Sequence, residues 1–403
     1  MAEGVFVSQL SHRTRRPEMH VTVGIGLLGC GTVGSAVAER LVGADAPRRL
    51  GGVACELRAI AIADPLKSRS QALHRDLFTT DARAVIDDPN VDVIVECIGG
   101  TSIAAELVER ALSHGRHVIT ANKDLVATQG PRLRALAAAY SAHLRYEAAV
   151  GGAIPVVRTV VDALAGDRIE AIGGVLNGTC TAILSSIESG GSYASALDDA
   201  RAAGFAEADP ANDVEGIDAA HKLAILMQDA FGLAIVSPRI RRRGITSITA
   251  RDIELAARFD AHIRLVAAAV RCGDRVAAEV GPMCVPSSHA FARTAGAENV
   301  VEIRARDAGR LVLRGIGAGG AATASAVLGD LDSTIRALGH GRPAAASGSD
   351  SWPAPPLDVV PLFPSLERFP ELPHYPVWND ACFSDVPADA DSLSMARTEV
   401  RSR

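Results

Sequence analysis

The hexapeptide Gly29-Cys30-Gly31-Thr32-Val33-Gly34 restricts the folds open to this 403-residue chain more than any other feature. It has the form G-x-G-x-x-G, and it lies directly between an apolar run at 21–28 and a helix-spaced run at 35–42. In such a strand–turn–helix, Gly29 permits the tight turn, Gly31 lets the backbone approach a pyrophosphate, and Gly34 lets the helix pack close to the strand. Thr32 and Val33 then open a helix whose free N–H groups and partial positive charge suit an anion. A Gly-rich turn without a ligand is the plain alternative, and the flanking strand and helix argue against it.

Further apolar runs at 57–63, 91–97, 117–120 and 144–147 alternate with helix-spaced stretches at 103–114 and 131–141. That alternation predicts an α/β fold, a parallel sheet wound with helices, so a Rossmann-type dinucleotide-binding domain is expected over 21–151. Past Gly151-Gly152 longer amphipathic segments dominate, notably 214–231 closed by Gly232, and strands become sparser. This predicts a second, mixed α/β domain over 152–340. Residues 1–20 read as a disordered leader. The tail over 341–403 holds ten of the twenty prolines, yet also Trp352, Phe363, Phe369, Tyr375, Trp378 and Phe383. Disordered segments are poor in aromatics, so an extended arm docked on the body or on a partner subunit is expected.

Adenosine recognition should be read at the end of the second strand. Asp64 there would accept from a ribose 2′-OH and repel a 2′-phosphate, which leans towards NAD. Lys67 and Arg69 follow closely and would suit the 2′-phosphate of NADP, so the preference stays open. A net charge of −6 gives no general affinity for nucleic acid. The basic run Arg239, Arg241, Arg242 and Arg243 reads as a solvated loop. No apolar run is long enough to cross a membrane, and seven scattered cysteines without a C-x-x-C pair fit reduced thiols and a cytoplasmic location.

Several segments in order then carry a resemblance. They are the Gly-rich turn; V-E-C-I-G-G from Val95; T-A-N-K from Thr120; Y-E-A-A-V-G-G-A-I-P from Tyr146; and N-G-T from Asn177. G-F-A-E-A-D-P-A-N-D-V-E-G-I-D-A-A-H-K from Gly204 and R-G-I-G-A-G-G-A-A-T-A from Arg314 complete the set. Together they span about residues 21 to 338, and the chain resembles the homoserine dehydrogenase family. The resemblance implies NAD(P)-dependent interconversion of L-homoserine and L-aspartate 4-semialdehyde, on the route to threonine and methionine. It also implies that the second domain is catalytic and forms a homodimer.

By that resemblance Lys222 is the proton donor, Asp218 binds substrate and holds the lysine, and Lys123 stands near nicotinamide and substrate. Asp218 and Lys222 are four apart on a probable helix face; alone, such a pair would read as an exposed ion pair. Glu207 matches the residue that binds the substrate amino group, a charge-assisted role. Asp209 and Asp213 read as supports of the same acidic loop, and His221 as a packed or surface histidine on another helix face. Glu147, Val150, Gly152 and Ile154 match positions whose main-chain carbonyls hold a sodium ion in relatives, with a plain turn as the alternative. Gly315, Gly317 and Gly319 resemble a late segment that returns to the cofactor, with Gly319 as the contact.

The chain departs from the family at Ala63, where an arginine is usual, and at Cys180-Thr181-Ala182, where Thr-Asn-Tyr is common. Cys180 opens a rival chemistry, a thiohemiacetal route as in semialdehyde-oxidising dehydrogenases; packing is the commoner role for such a cysteine. A non-catalytic dinucleotide-sensing protein is the rival of another class, opposed by the retained Lys123, Glu207, Asp218 and Lys222. The Pro-rich tail lacks the alternating elements of the regulatory domain many relatives carry, so no threonine inhibition by that route is expected.

Overall fold

The structure is a computed structural model, and it describes residues 22–43, 49–203, 206, 209–339, 358–360, 362 and 376. The leader, Glu207 and the six tail aromatics lie outside the described residues.

The first sheet contains β1 (Thr22–Leu28), β2 (Arg49–Leu50), β3 (Val53–Ala61), β4 (Phe78–Thr79), β5 (Val93–Glu96), β6 (His117–Thr120) and β7 (Leu144–Arg145). Their order is β2-β3-β1-β5-β6-β7, with β4 on β3, and every pairing is parallel except β2 with β3. Helices α1 (Thr32–Val42), α2 (Ala82–Asp87), α3 (Ile103–Ser113) and α4 (Lys123–Ala139) connect these strands. Leu28 pairs with both Ala61 and Glu96, so the turn after β1 emerges between the carboxyl ends of its two neighbours. The strand order reverses there, and open α/β sheets bind ligands at such a switch point.

Beyond α5 (Val156–Arg158) a second sheet is built from β8 (Ile169–Val175), β9 (Arg241–Arg242), β10 (Ala261–Cys272), β11 (Arg275–Pro286), β12 (Glu298–Ala305), β13 (Gly309–Ile316) and β14 (Asp358–Val360). It runs β13-β12-β8-β10-β11-β14, antiparallel except where β14 and β9 add in parallel to the edge of β11. Its helices are α6 (Gly178–Glu188), α7 (Tyr193–Ala202), α8 (Ala211–Val214), α9 (Ile217–Phe231) and α10 (Ala250–Arg258); α11 (Gly320–Gly339) follows β13.

Side-chain alternation divides the cores. Val23, Ile25 and Leu27 of β1 pack with Val37 of α1 and with Val327, Leu331 and Ile335 of α11. Leu28, Ile94 and Val118 point to the other face, against Val85, Val108 and Leu133 of α2, α3 and α4. The last long helix thus covers the first sheet, although it follows the second in sequence. In the second sheet Leu265, Ala267 and Ala269 pack with α6 and α9, while Val266, Ala268 and Val270 face a separate core that includes Phe291 and Leu362.

Three expectations are corrected. Strands do not thin out after residue 152: β10 and β11 are twelve residues each and buried on both faces. Their Ala-rich apolar runs lack the period-two pattern that marks a half-exposed strand. Helix α4 begins at Lys123 and passes through Pro131, because Asn122 caps it and its buried side packs on α9. The basic run is not a free loop, since Arg241 and Arg242 form β9 and Arg241 pairs with Glu279 at 3.4 Å.

The tail takes part in this architecture: β14 lines the edge of β11, Pro376 O accepts from Cys284 N at 2.8 Å, and Leu362 is fully buried. Leu362→Ala should therefore lower unfolding stability by about 2–4 kcal/mol in a denaturant titration. A change below about 0.5 kcal/mol, the size of ordinary surface substitutions, would contradict this packing.

Candidate active site

The nucleotide side starts at the turn after β1. Gly29 has φ +92°, and a Cβ on it would stand 2.7 Å from Cys97 O; a Cβ on Gly34 would stand 2.0 Å from Gly29 O. Both glycines are thus required by the turn and by the close approach of α1. A Cβ on Gly31 would meet nothing within 4 Å, and Gly31 caps α1 without a side-chain hydrogen bond. The first amides of α1 are open to an anion, as a dinucleotide pyrophosphate requires. Thr32 is exposed and Val33 half-buried at this helix start. Gly319, at φ +114°, also faces open space, and a Cβ on Gly320 would lie 2.9 Å from Thr32 O, so the start of α11 abuts the turn.

At the adenosine end Asp64 and Lys67 are exposed. Asp64 Oδ1 accepts from Leu66 N at 2.8 Å, and Arg69 Nη2 donates to Asp64 O at 3.1 Å. All three predicted residues share one turn.

Glu96, fully buried at the end of β5, organises the next loop. Its Oε1 accepts from Ile98 N at 2.7 Å and Gly99 N at 3.2 Å, and its Oε2 accepts from the Thr120 hydroxyl. Thr120 Oγ1 in turn accepts from Asn122 N at 2.9 Å. Asn122 caps α4 through Leu125 N and donates to Gly100 O at 2.7 Å. This chain of bonds sets Lys123 as the first residue of α4. A cation is disfavoured at a helix N-terminus, so Lys123 needs an anionic partner.

That partner comes from the other half of the molecule. Asp218, in the first turn of α9, is 5% exposed; its Oδ1 lies 2.8 Å from Lys123 Nζ and its Oδ2 2.8 Å from Lys222 Nζ. Asn177 Nδ2 adds a hydrogen bond to Asp218 Oδ2 at 2.9 Å and another to Asp213 Oδ1 at 2.7 Å. Lys222, also nearly buried, donates to Leu176 O at 2.5 Å, and Asn299 Nδ2 donates to the same carbonyl at 3.2 Å. Burial opposes the charge on Asp218, but the ammonium groups of Lys222 and Lys123 prevail and hold its carboxyl well below the usual range. Burial likewise opposes the charge on Lys123, yet Asp218 and the neighbouring Asp124 and Asp213 leave it raised.

The catalytic candidates Lys123, Asp218 and Lys222 therefore converge. Lys123, Asp209, Asp213 and Asp218 line one cleft with Asp124, Asn212, Ile217 and His221. His221 is corrected from a packed or surface residue to a cleft residue, with Nδ1 2.7 Å from Asp124 Oδ1. The helix-wheel argument placed it away from Lys222 but did not foresee α4 on that side. Sequence reasoning also missed Asp124, Asn299 and the Leu176 carbonyl; nothing in the local pattern marks a main-chain acceptor or a partner two elements away. The loop with Glu147, Val150, Gly152 and Ile154 meets the late glycines, because a Cβ on Gly152 would stand 2.7 Å from Gly317 O. The Glu147 carboxylate is taken by Val157 N at 2.9 Å and Arg158 N at 2.8 Å, leaving only main-chain oxygens of this turn for an ion.

Cys180 does not suit the thiol route. It is fully buried in the first turn of α6, and its Sγ donates to Asp213 O at 3.2 Å. Burial, then Asp213 and Asp218, push its thiol well above the ordinary value. The nucleophilic form is the thiolate, which this environment suppresses.

The profile of a family described as homoserine dehydrogenase matches residues 155–331, and that of its NAD-binding domain matches residues 29–147. The homoserine dehydrogenase of Corynebacterium glutamicum is 42% identical over 327 residues, covering 79% of this chain and 73% of that protein. A crystal structure of a homoserine dehydrogenase from Thiobacillus denitrificans superposes with a TM-score of 0.78 at 36% identity, covering 85% of this chain and 80% of the other. A hyperthermophilic archaeal homoserine dehydrogenase in complex with NADPH gives 0.67 at 25% identity, covering 78% and 98%.

The burial of Cys180 has a measurable consequence. Cys180→Ala should keep dehydrogenase activity within about threefold of the parent, because the side chain packs and makes one weak S–H bond to a main-chain oxygen, with no part in the chemistry. Loss of activity by more than about a hundredfold in a folded variant would reinstate the thiol as nucleophile.

Proposed function

This chain belongs to the homoserine dehydrogenase family, and we propose that Lys222 exchanges the proton in its reaction while Asp218 and Lys123 hold lysine and substrate in place. The enzyme is an NAD(P)-dependent oxidoreductase of threonine and methionine biosynthesis, interconverting L-homoserine and L-aspartate 4-semialdehyde. The observation that carries the assignment of roles is the Asp218 carboxylate shared by two lysines at 2.8 Å each.

The turn with Gly29, Gly31 and Gly34 would hold the dinucleotide, whose nicotinamide would supply or accept the hydride when bound. The substrate oxygen must then gain or lose a proton, and a positioned side chain contributes about 10²–10⁴-fold to such a step. An ammonium group has three N–H bonds. Lys222 directs one to Asp218 and one to Leu176 O, so a third is left for the substrate oxygen. Asp218 orients that ammonium through Oδ2, and Lys123 offers a second positive charge at the cleft beside the carboxylate. Glu207 completes the scheme as the acceptor for the substrate amino group, on the strength of the family motif from Gly204.

For the cofactor the Asp64 carboxylate, exposed after β3, favours the free ribose of NAD over a 2′-phosphate. For the ion, the turn from Glu147 to Ile154 offers main-chain carbonyls, donors that suit sodium. Replacing sodium chloride by choline chloride at equal ionic strength should lower the thermal midpoint; an unchanged midpoint would remove the ion.

Homoserine oxidation assayed with NAD and with NADP, for the parent and Lys222→Ala, tests the mechanism and the cofactor together. The variant should lose about 10²–10⁴-fold in kcat, and equal activity in both proteins would overturn the role of Lys222. The parent should show a higher kcat/KM with NAD. A preference for NADP would instead assign the 2′-phosphate to Lys67 and Arg69.

A further inference from the structure

Helices α4 and α9 come from different halves of the fold and each supplies a residue to the cleft, yet they are held together by more than the Lys123–Asp218 pair. Farther along both helices, Arg134 Nη2 donates to Gln228 Oε1 at 2.7 Å and Arg134 Nη1 lies 3.5 Å from Asp229 Oδ1. Tyr146 OH bridges the same Asp229 oxygen at 2.7 Å. At the cleft end His221 Nδ1 meets Asp124 Oδ1 at 2.7 Å. Asp124 directly follows Lys123, and His221 directly precedes Lys222. His221 is shielded, with its side chain 18% exposed, whereas Asp124 is 40% exposed.

We propose that His221 and Asp124 form a clasp between α9 and α4 that positions Lys123 and Asp218 for the reaction. The two residues act through their neighbours and do not themselves exchange the substrate proton. The inference rests on the roles given to Lys123 and Asp218 above. An imidazole can donate Nδ1–H to the Asp124 carboxylate, which ties α9 to α4 one residue from Lys222 and one residue from Lys123. The side-chain hydrogen bond from His221 lowers the pKa of Asp124, which keeps the acceptor ionised.

Other charged groups line the same cleft as the histidine: Lys123 on α4, Asp218 on α9, Asp213 on α8 and Asp209 just before it.

The test compares parent, His221→Ala and His221→Asn by kcat/KM across about pH 5.5–9, with the thermal midpoint as a check on folding. Asn places an N–H near the Nδ1 position without a titrating group. The expected result is an Ala variant about tenfold slower throughout, since small misplacements of reacting groups are costly. The Asn variant should match the parent within about threefold, because its amide N–H can restore the bond to Asp124. An Ala variant equal to the parent overturns the clasp. An Asn variant as slow as the Ala variant does the same. Lys222→Ala is judged separately, so failure of the clasp leaves the role of Lys222 standing, and failure of that role is seen without reference to His221.

Discussion

The geometry of the cleft depends on one buried carboxylate. Asp218 lies almost out of solvent, yet it is ionised because two ammonium groups and an amide N–H converge on it. An unpaired buried charge would be severely destabilising, so the Asp218 carboxylate depends on these partners to stay charged. The sign follows directly. Its folded pKa is depressed, so the stabilisation exists above the ordinary carboxylate range and disappears as pH falls through the lower folded value. Since Lys123 belongs to the first sheet's half and Asp218 to the second, the same interaction joins the two halves where hydride and proton must meet.

The fold explains why those groups can be brought so close. Parallel strands β1, β5 and β6 end together, so the Gly-rich turn, the Glu96 loop and Lys123 all leave the sheet on one side. The second sheet delivers Leu176 at the end of β8 and Asn299 on β12, while α6, α8 and α9 supply Asn177, Asp213 and Asp218. Helix α11 then crosses back to pack on α1, which brings Gly319 and Gly320 to the nucleotide turn. The enzyme is one continuous structure around the cleft, and neither sheet alone contains the site.

Much of this was legible in the residues. Short apolar runs and helical spacing marked β1, β3, β5, β6 and most helices of the first half, and the glycine pattern located the turn. Spacing of four placed Asp218 and Lys222 on one face, and both indeed share a contact. The second sheet was hidden because Leu265 through Val270 is apolar without alternation, a pattern that a buried helix would share. Contacts across elements were also illegible. Nothing near residue 124 announces His221, and nothing near Leu176 announces that its carbonyl receives Lys222 and Asn299. Pro131 argued locally for a helix start, while Asn122 and the packing of α4 on α9 decided otherwise.

The central claim is that Asp218 and Lys222 act as one unit, and a double-mutant cycle on kcat/KM for homoserine oxidation measures that most directly. The account predicts that the double variant Asp218→Asn/Lys222→Met is within about threefold of the worse single variant, because removing either partner already disables the pair. Losses that multiply, so that the double variant falls by the product of the two single effects, would show that the residues act independently and would contradict it.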